Sequence, residues 1–278
     1  MKRIEGLVAE CGTSPLRDII TTAAEAALVA GAIIAELYHQ PHQIRYKGEI
    51  DIVTEADVAA EKRILDILRQ RHPGITVLSE ESFAAYDDIP REPVWVIDPL
   101  DGTTNFAHGF PWFAVSIGYM ENGKSVAGVI YAPMLDELFC ACRGCGAWLN
   151  GGRIVVSRCA ELKKSLLATG FPYDIEQRSG EVVSALRKLL PSCQGVRRAG
   201  AAALDLASVA SGRFEGFWEI ELKPWDTAAG LLLVQEAGGR VTDFQGGSYS
   251  PFVREIVASN ALIHDEMLAR LAEFSSLS

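Results

Sequence analysis

The sequence predicts a chain in two parts, an α+β first half built on an antiparallel sheet with two helices and an α/β second half. Three observations carry this. Two segments of helical periodicity open the chain, strand-like runs joined by short turns fill residues 75–150, and helical and strand-like segments alternate after Gly151-Gly152. With 278 residues, 49% of them hydrophobic, the chain can bury a large core and reaches the size at which chains divide. The division is expected near residue 148, giving domains 1–148 and 149–278.

Residues 16–39 are alanine-rich with helical spacing and stop before Pro41. Their apolar centre, 26–35, lies between Glu25 and Glu36 and is too short to span a membrane, so a buried helix is expected. The second helix comes after "DIVTEAD". Thr54 suits an N-cap, and Asp57 stands three residues on, as in a capping box. This helix ends at His72-Pro73-Gly74, where His72 is a favourable C-terminal charge.

"ITVLS", "VWVID", "WFAVSIGYM", "SVAGVIYAP" and "ELFCACR" then read as strands of an antiparallel sheet. "GYMENGKS" at 118–125 satisfies the spacing of a phosphate-binding G-x-x-x-x-G-K-S loop. The next residues are β-branched and strand-like rather than helical, so Asn122-Gly123 is expected to be a type I′ hairpin turn. In the second half, strands at "SLLATGF", "GVRRAG", "GFWEIEL", "RVTDF" and "EIVAS" alternate with helices at "EVVSALRKLL", "AALDLASVAS" and "DTAAGLLLVQEA". A last helix is expected from Asn260.

The formal net charge of −10 disfavours a nucleic-acid surface, and it repels phosphate unless bound cations invert the local field. The first twelve residues hold no apolar stretch of signal-peptide length, so a cytoplasmic location is expected. Cysteines 11, 140, 142, 145, 159 and 193 are expected to be free thiols. "CACRGC" lacks the paired spacing and the nearby histidine of a zinc site.

"WVIDPLDGTTNF", residues 95–106, carries the chemistry. Asp98 ends a strand, Pro99 cannot extend the ladder, and the chain turns there, bringing Asp101 back toward Asp98 and freeing the Leu100 carbonyl. Gly102 permits the turn, and Thr103-Thr104 open a short helix. Acids this close repel, and a divalent cation shared with a phosphate relieves the repulsion. Further acids stand at other element ends: Asp51 and Asp57 in "DIVTEAD", Glu80 and Glu81 in "LSEES", and Asp226 in "KPWDTAAG". Trp95 and Trp225 are expected to pack beneath them. Lys47 and His108 read as solvated or loop residues.

With these residues in view, the chain resembles the inositol monophosphatase family of magnesium-dependent phosphatases. "WVIDPLDGTTNF" is similar to the family's first signature and "PWDTAAGLLLVQEAGG" to its second. "DIVTEAD", "SEES" and "RRAGAAALDLASVASGRFEGFWEIELKPWD" match intervening blocks in the same order, over nearly the whole chain. The resemblance implies a layered αβαβα sugar-phosphatase fold with a mixed sheet in the second half. It also implies two to three Mg2+ ions, or Mn2+ in their place. A first metal would be held by Glu80, Asp98 and the Leu100 carbonyl. A second would be held by Asp98, Asp101 and Asp226, and a third would lie near Glu80, largely through water. Asp51 and Thr103 match the pair that orients the attacking water, with Glu80 in the catalytic set. Gly102, Thr103 and Thr104 match the phosphate cradle. Gly200, Ala201, Ala202, Glu219 and Asp226 match positions facing the substrate. Ser79 and Ala201 depart from the family's usual glycine and hydroxyl residue.

The implied activity is hydrolysis of a small phosphomonoester, most simply inositol 1-phosphate, by metal-activated water without a covalent intermediate. Lithium inhibition and a homodimer are further implications, with no nucleic-acid or membrane partner. The alternatives are a fructose-1,6-bisphosphatase or 3′,5′-bisphosphate nucleotidase of the same superfamily, and a non-catalytic binding protein on this fold.

Overall fold

A computed structural model describes residues 2–12, 14–82 and 90–272. The chain opens with α1 (Glu5–Cys11) and α2 (Leu16–Leu37). A hairpin of two short strands, β1 (Arg45–Tyr46) with β2 (Ile52–Val53), leads into α3 (Glu55–Arg71). The expected capping box starts α3: Thr54 accepts from the Ala56 N–H, and the Asp57 carboxylate accepts from the Thr54 N–H. A seven-stranded sheet is laid down next, in chain order. It comprises β3 (Thr76–Ser79), β4 (Val94–Asp101), β5 (Ala114–Glu121), β6 (Lys124–Ala132), β7 (Glu137–Cys142), β8 (Gly146–Leu149) and β9 (Gly152–Ile154). The short helix α4 (Thr103–Ala107) leaves β4.

The second sheet comprises β10 (Leu166–Thr169), β11 (Gly195–Arg197), β12 (Gly216–Ile220), β13 (Arg240–Thr242) and β14 (Glu255–Ser259), in the spatial order β11-β10-β12-β14-β13. It is mixed: β10 runs parallel to β11 and β12, and β14 runs antiparallel to β12 and β13. Its helices are α5 (Ile175–Leu189), α6 (Ala202–Ala210), α7 (Pro224–Glu236) and α8 (His264–Ala272).

Three apolar clusters stack these elements into the αβαβα sandwich. In the first, α2 and α3 cover one face of the seven-stranded sheet through Ile20, Ile34, Ile64 and Leu68. Each is fully buried and contributes roughly 1.5–3 kcal/mol. In the second, α6 and α7 fill the space between the two sheets. In the third, α5 and α8 close the outer face of the second sheet. Helix α7 lies hard against the first sheet, since a Cβ at Gly118 or Gly128 would come within 2.8 Å of Ala228 or Ala229. That contact sets the depth of Asp226 in the first turn of α7.

Helix α2 has 22 residues and is long and apolar enough to cross a membrane by length and composition. Its apolar face packs into the first cluster instead. The six cysteines are free thiols. Asn122 and Gly123, with φ of 50° and 72°, form the expected hairpin turn between β5 and β6.

Several expectations need correction. β3 pairs parallel, not antiparallel, with β4. Residues 80–93 between them are too many for a hairpin, and a longer return permits parallel pairing. Strand β4 does not stop at Asp98. The ladder resumes at Asp101↔Ala114 after Asp98↔Ser116, a bulge with one extra residue. The missing Pro99 N–H falls inside that bulge, where no ladder bond is required. Trp95 packs against His72 and Tyr119 on the helix side, because alternate strand residues face opposite sides. Val96 and Trp225 share the other face. The last helix begins at His264, since Asn260 Oδ1 accepts from the N–H groups of Leu262 and Ile263 to make a turn first.

Candidate active site

The β4 bulge is the centre of the site. Asp98 Oδ1 accepts from the Leu100 N–H at 3.0 Å, fixing the turn of the bulge. Asp101 Oδ2 accepts from the Ala203 N–H at 2.8 Å, so it caps α6 from the other sheet. Ala201, at the N-cap of α6, has no polar side chain to do this, and Asp101 supplies the cap. Asp226 closes the first turn of α7 by accepting from the Lys223 N–H at 2.6 Å. Each acid is thus held by backbone on one side.

Their electrostatics are those of a crowded anionic site. Burial, then the charges of Glu80, Asp101 and Asp226, hold Asp98 well above the usual carboxyl range. Burial, then Glu80 and Asp101, do the same to Asp226. Asp101 is pushed up to about 7 by burial, against the pull of the Ala203 N–H. Glu80 is raised by burial and opposed by Lys47. Like charges kept this near one another, in place of an apolar filling, are a standing reason to expect cations.

Thr103 is paired with Asp57 and not, as expected, with Asp51. Thr103 Oγ1 donates to Asp57 Oδ1 at 2.7 Å and lies 3.0 Å from the Leu100 carbonyl. A hydroxyl carries one proton, and the shorter, charged acceptor takes it. Asp57 Oδ2 meanwhile receives the Thr54 N–H and hydroxyl at 2.8 and 2.6 Å. Burial pushes Asp57 up to about 6, against those donors. Asp51 instead faces Lys47, its Oδ1 3.9 Å from Nζ, because the β1–β2 hairpin that carries it turns toward the glutamates.

Lys47, although exposed, does not stand free. Its Nζ bonds Glu80 Oε1 at 2.7 Å and Glu81 Oε1 at 2.9 Å. Ser79 has a use that glycine could not have: its hydroxyl and that of Ser82 both donate to Glu61 Oε1, at 2.6 and 2.8 Å. Glu61 thereby clamps both ends of the segment bearing Glu80 and Glu81. His108 is the C-cap of α4.

Asp101, Gly102, Thr103, Thr104 and Asp226 line one wall of a cavity of about 350 Å³. Gly200, Ala201, Ala202, Asp205 and Glu219 line another, with Phe171 and Tyr173 at the same cavity. Gly102, at φ 93°, turns the chain into α4 at its edge. Glu219 is held well above the usual carboxyl range by burial, then by Asp205 and Asp226. The residues expected to face a substrate therefore line one cavity. Sequence reasoning misses these contacts of Asp57, Lys47, Glu61 and Asp205, although Asp57 has its capping signature.

The donors converging here are all oxygens, carboxylates plus the Leu100 carbonyl, the chemistry that suits Mg2+, Mn2+ or Ca2+ and not the sulfur-loving metals. Among the described residues, no three His, Cys, Asp or Glu side chains are drawn tightly enough together to hold an ion unaided. Donor type and mutual repulsion fit divalent cations whose remaining ligands come from elsewhere.

The sequence pattern of the inositol monophosphatase family matches residues 16–277. The chain is 45% identical over 260 residues to the Nus factor SuhB of Escherichia coli K12, covering 93% of this chain and 97% of that one. It is 44% identical over 260 residues to the inositol-1-monophosphatase of Synechocystis, covering 93% and 90%. The solved inositol monophosphatase of Anabaena superposes with a TM-score of 0.85 at 42% identity, covering 94% of this chain and 97% of that one.

Proposed function

Because the chain belongs to the inositol monophosphatase family, we propose that it hydrolyses a small phosphomonoester, inositol 1-phosphate above the alternatives. The observation that carries this is the crowding of buried Asp98 by the charges of Glu80, Asp101 and Asp226, beside a cavity that Asp101, Asp226 and Thr103 line, with Thr103 bonded to Asp57. Two or three Mg2+ ions, held by Glu80, Asp98, the Leu100 carbonyl, Asp101 and Asp226, would supply Lewis acidity and neutralise the phosphate's charge.

The chain's own residues do the rest. With its proton committed to Asp57, Thr103 Oγ1 turns its lone pairs outward as an acceptor for a water proton. That contact aims the water's oxygen at phosphorus. As the water–phosphorus bond forms, the ester oxygen leaves on the opposite side and takes a proton from solvent. Asp57, raised to about 6, is suited to receive the water's proton through Thr103. Glu219 accepts from a hydroxyl of the alcohol.

The test is phosphate release from inositol 1-phosphate, fructose 1,6-bisphosphate and adenosine 3′,5′-bisphosphate, with and without Mg2+. Mg2+-dependent release, fastest from inositol 1-phosphate, is expected. Faster release from either bisphosphate contradicts the substrate, and no release from any contradicts the enzyme.

The name of the E. coli relative favours a second reading, action as a Nus factor. Such a role needs neither the Thr103–Asp57 pair nor the clustered acids, so their retention favours hydrolysis as well. An Asp98→Asn variant separates the two, since it removes hydrolysis and leaves a purely binding role intact.

A further inference from the structure

Asp205 stands in the first turn of α6, a helix otherwise made of alanine, leucine, serine and valine, all of it buried. The residue is 1% exposed. Yet it lines the cavity that Glu219 and Asp226 also line. Among the described residues nothing donates a hydrogen bond to its Oδ1. The positive charge of Arg198 reaches it, but that guanidinium lies over the Phe171 ring, 5.0 Å from its centre, and no hydrogen bond joins the two. Glu219 is near enough for the two carboxyls to repel.

A buried acceptor without a donor is costly, and a second carboxyl beside it adds to the cost. A residue kept only for packing would be apolar here, as its helix neighbours are. The cost is relieved when a bound molecule brings hydroxyl donors into the cavity. Carboxyls suit that task, since each offers strong acceptor oxygens. They also repel a further anionic group on the alcohol.

We propose that Asp205 is a specificity-determining residue which, paired with Glu219, accepts hydrogen bonds from two hydroxyl groups of the substrate's alcohol. The pair would select an uncharged polyol phosphate over alcohols with no hydroxyl to donate. This rests on the phosphatase reading above.

The test compares inositol 1-phosphate with p-nitrophenyl phosphate, whose alcohol part has no further hydroxyl, in the full-length protein with Mg2+. Asp205→Ala is expected to raise KM for inositol 1-phosphate about tenfold while KM for p-nitrophenyl phosphate stays within about twofold. Asp205→Asn, which keeps one acceptor, is expected to restore part of the difference. Equal changes on both substrates, or none on either, overturn the proposal. Should the Ala variant lose its cooperative melt, Asp205→Asn decides alone: an unchanged KM ratio overturns the proposal, and a ratio raised a few-fold supports it. A wild-type protein that releases phosphate from neither compound defeats the phosphatase reading itself, and this inference with it.

Discussion

Thr103 and Asp57, 46 residues apart in the chain, are joined by a 2.7 Å hydrogen bond through one carboxylate oxygen, while the other oxygen caps α3. One side chain therefore starts a helix and orients the hydroxyl that faces the cavity. Asp57→Asn is expected to cost ~1–2 kcal/mol of stability, as cap substitutions do. It should also lower kcat by roughly 10²–10⁴, as loss of a proton acceptor does. Thr103→Ala should show the kinetic loss without the cap loss. Asp51→Asn should leave stability within about 0.5 kcal/mol. Urea melts and initial rates on the three variants check this, and equal behaviour of Asp51→Asn and Asp57→Asn would contradict it.

The acid cluster sets a pH dependence. Burial pushes Asp101 up to about 7 and Asp57 up to about 6, both above the ordinary 3.8, and Asp98 and Asp226 are shifted the same way. A carboxyl whose pKa rises on folding binds more protons when folded. Its contribution is thus fully present below the unfolded value and lost as pH rises through the folded one. Without divalent cations the melting temperature should fall between pH 4 and 7, and saturating Mg2+ should remove most of that fall. Calorimetry in chelator against Mg2+ reads the difference, and parallel curves would argue against a cation site at these acids.

Gly170 gives Glu219 its place. A Cβ there would come within 2.1–2.3 Å of the Glu219 carboxyl, at the end of a side chain that can move aside. Gly170→Ala should therefore fold normally but push Glu219 off the alcohol. KM for inositol 1-phosphate is expected to rise ~10-fold with kcat little changed, the pattern of lost uniform binding. A fall in kcat at constant KM would place Glu219 in the chemical step instead.

The features legible in the sequence are mostly those that local rules decide. Thr54 and Asp57 announce a capping box, Asn122-Gly123 a hairpin, and "WVIDPLDGTTNF" an acidic turn, because each signal lies within a few residues. The parallel β3–β4 pair is hidden, since it depends on a long return and not on a turn. Pro99 points to a strand end, yet a bulge absorbs a missing N–H without ending the strand. The capping signature of Asp57 masks its bond to Thr103, although a carboxylate has two oxygens and can serve both. Asp205 gives no signal at all, since an acid in a helix looks ordinary until the cavity beside it is seen. Lys47 gives none either, because its partners Glu80 and Glu81 are more than thirty residues away.

The most direct measurement is anomalous diffraction from crystals soaked in Mn2+ and inorganic phosphate. One peak is expected within ~2.0–2.6 Å of Glu80, Asp98 and the Leu100 carbonyl, and another at that distance from Asp98, Asp101 and Asp226. Density for manganese elsewhere, with Asp98 bound to no ion, would refute the shared-cation site.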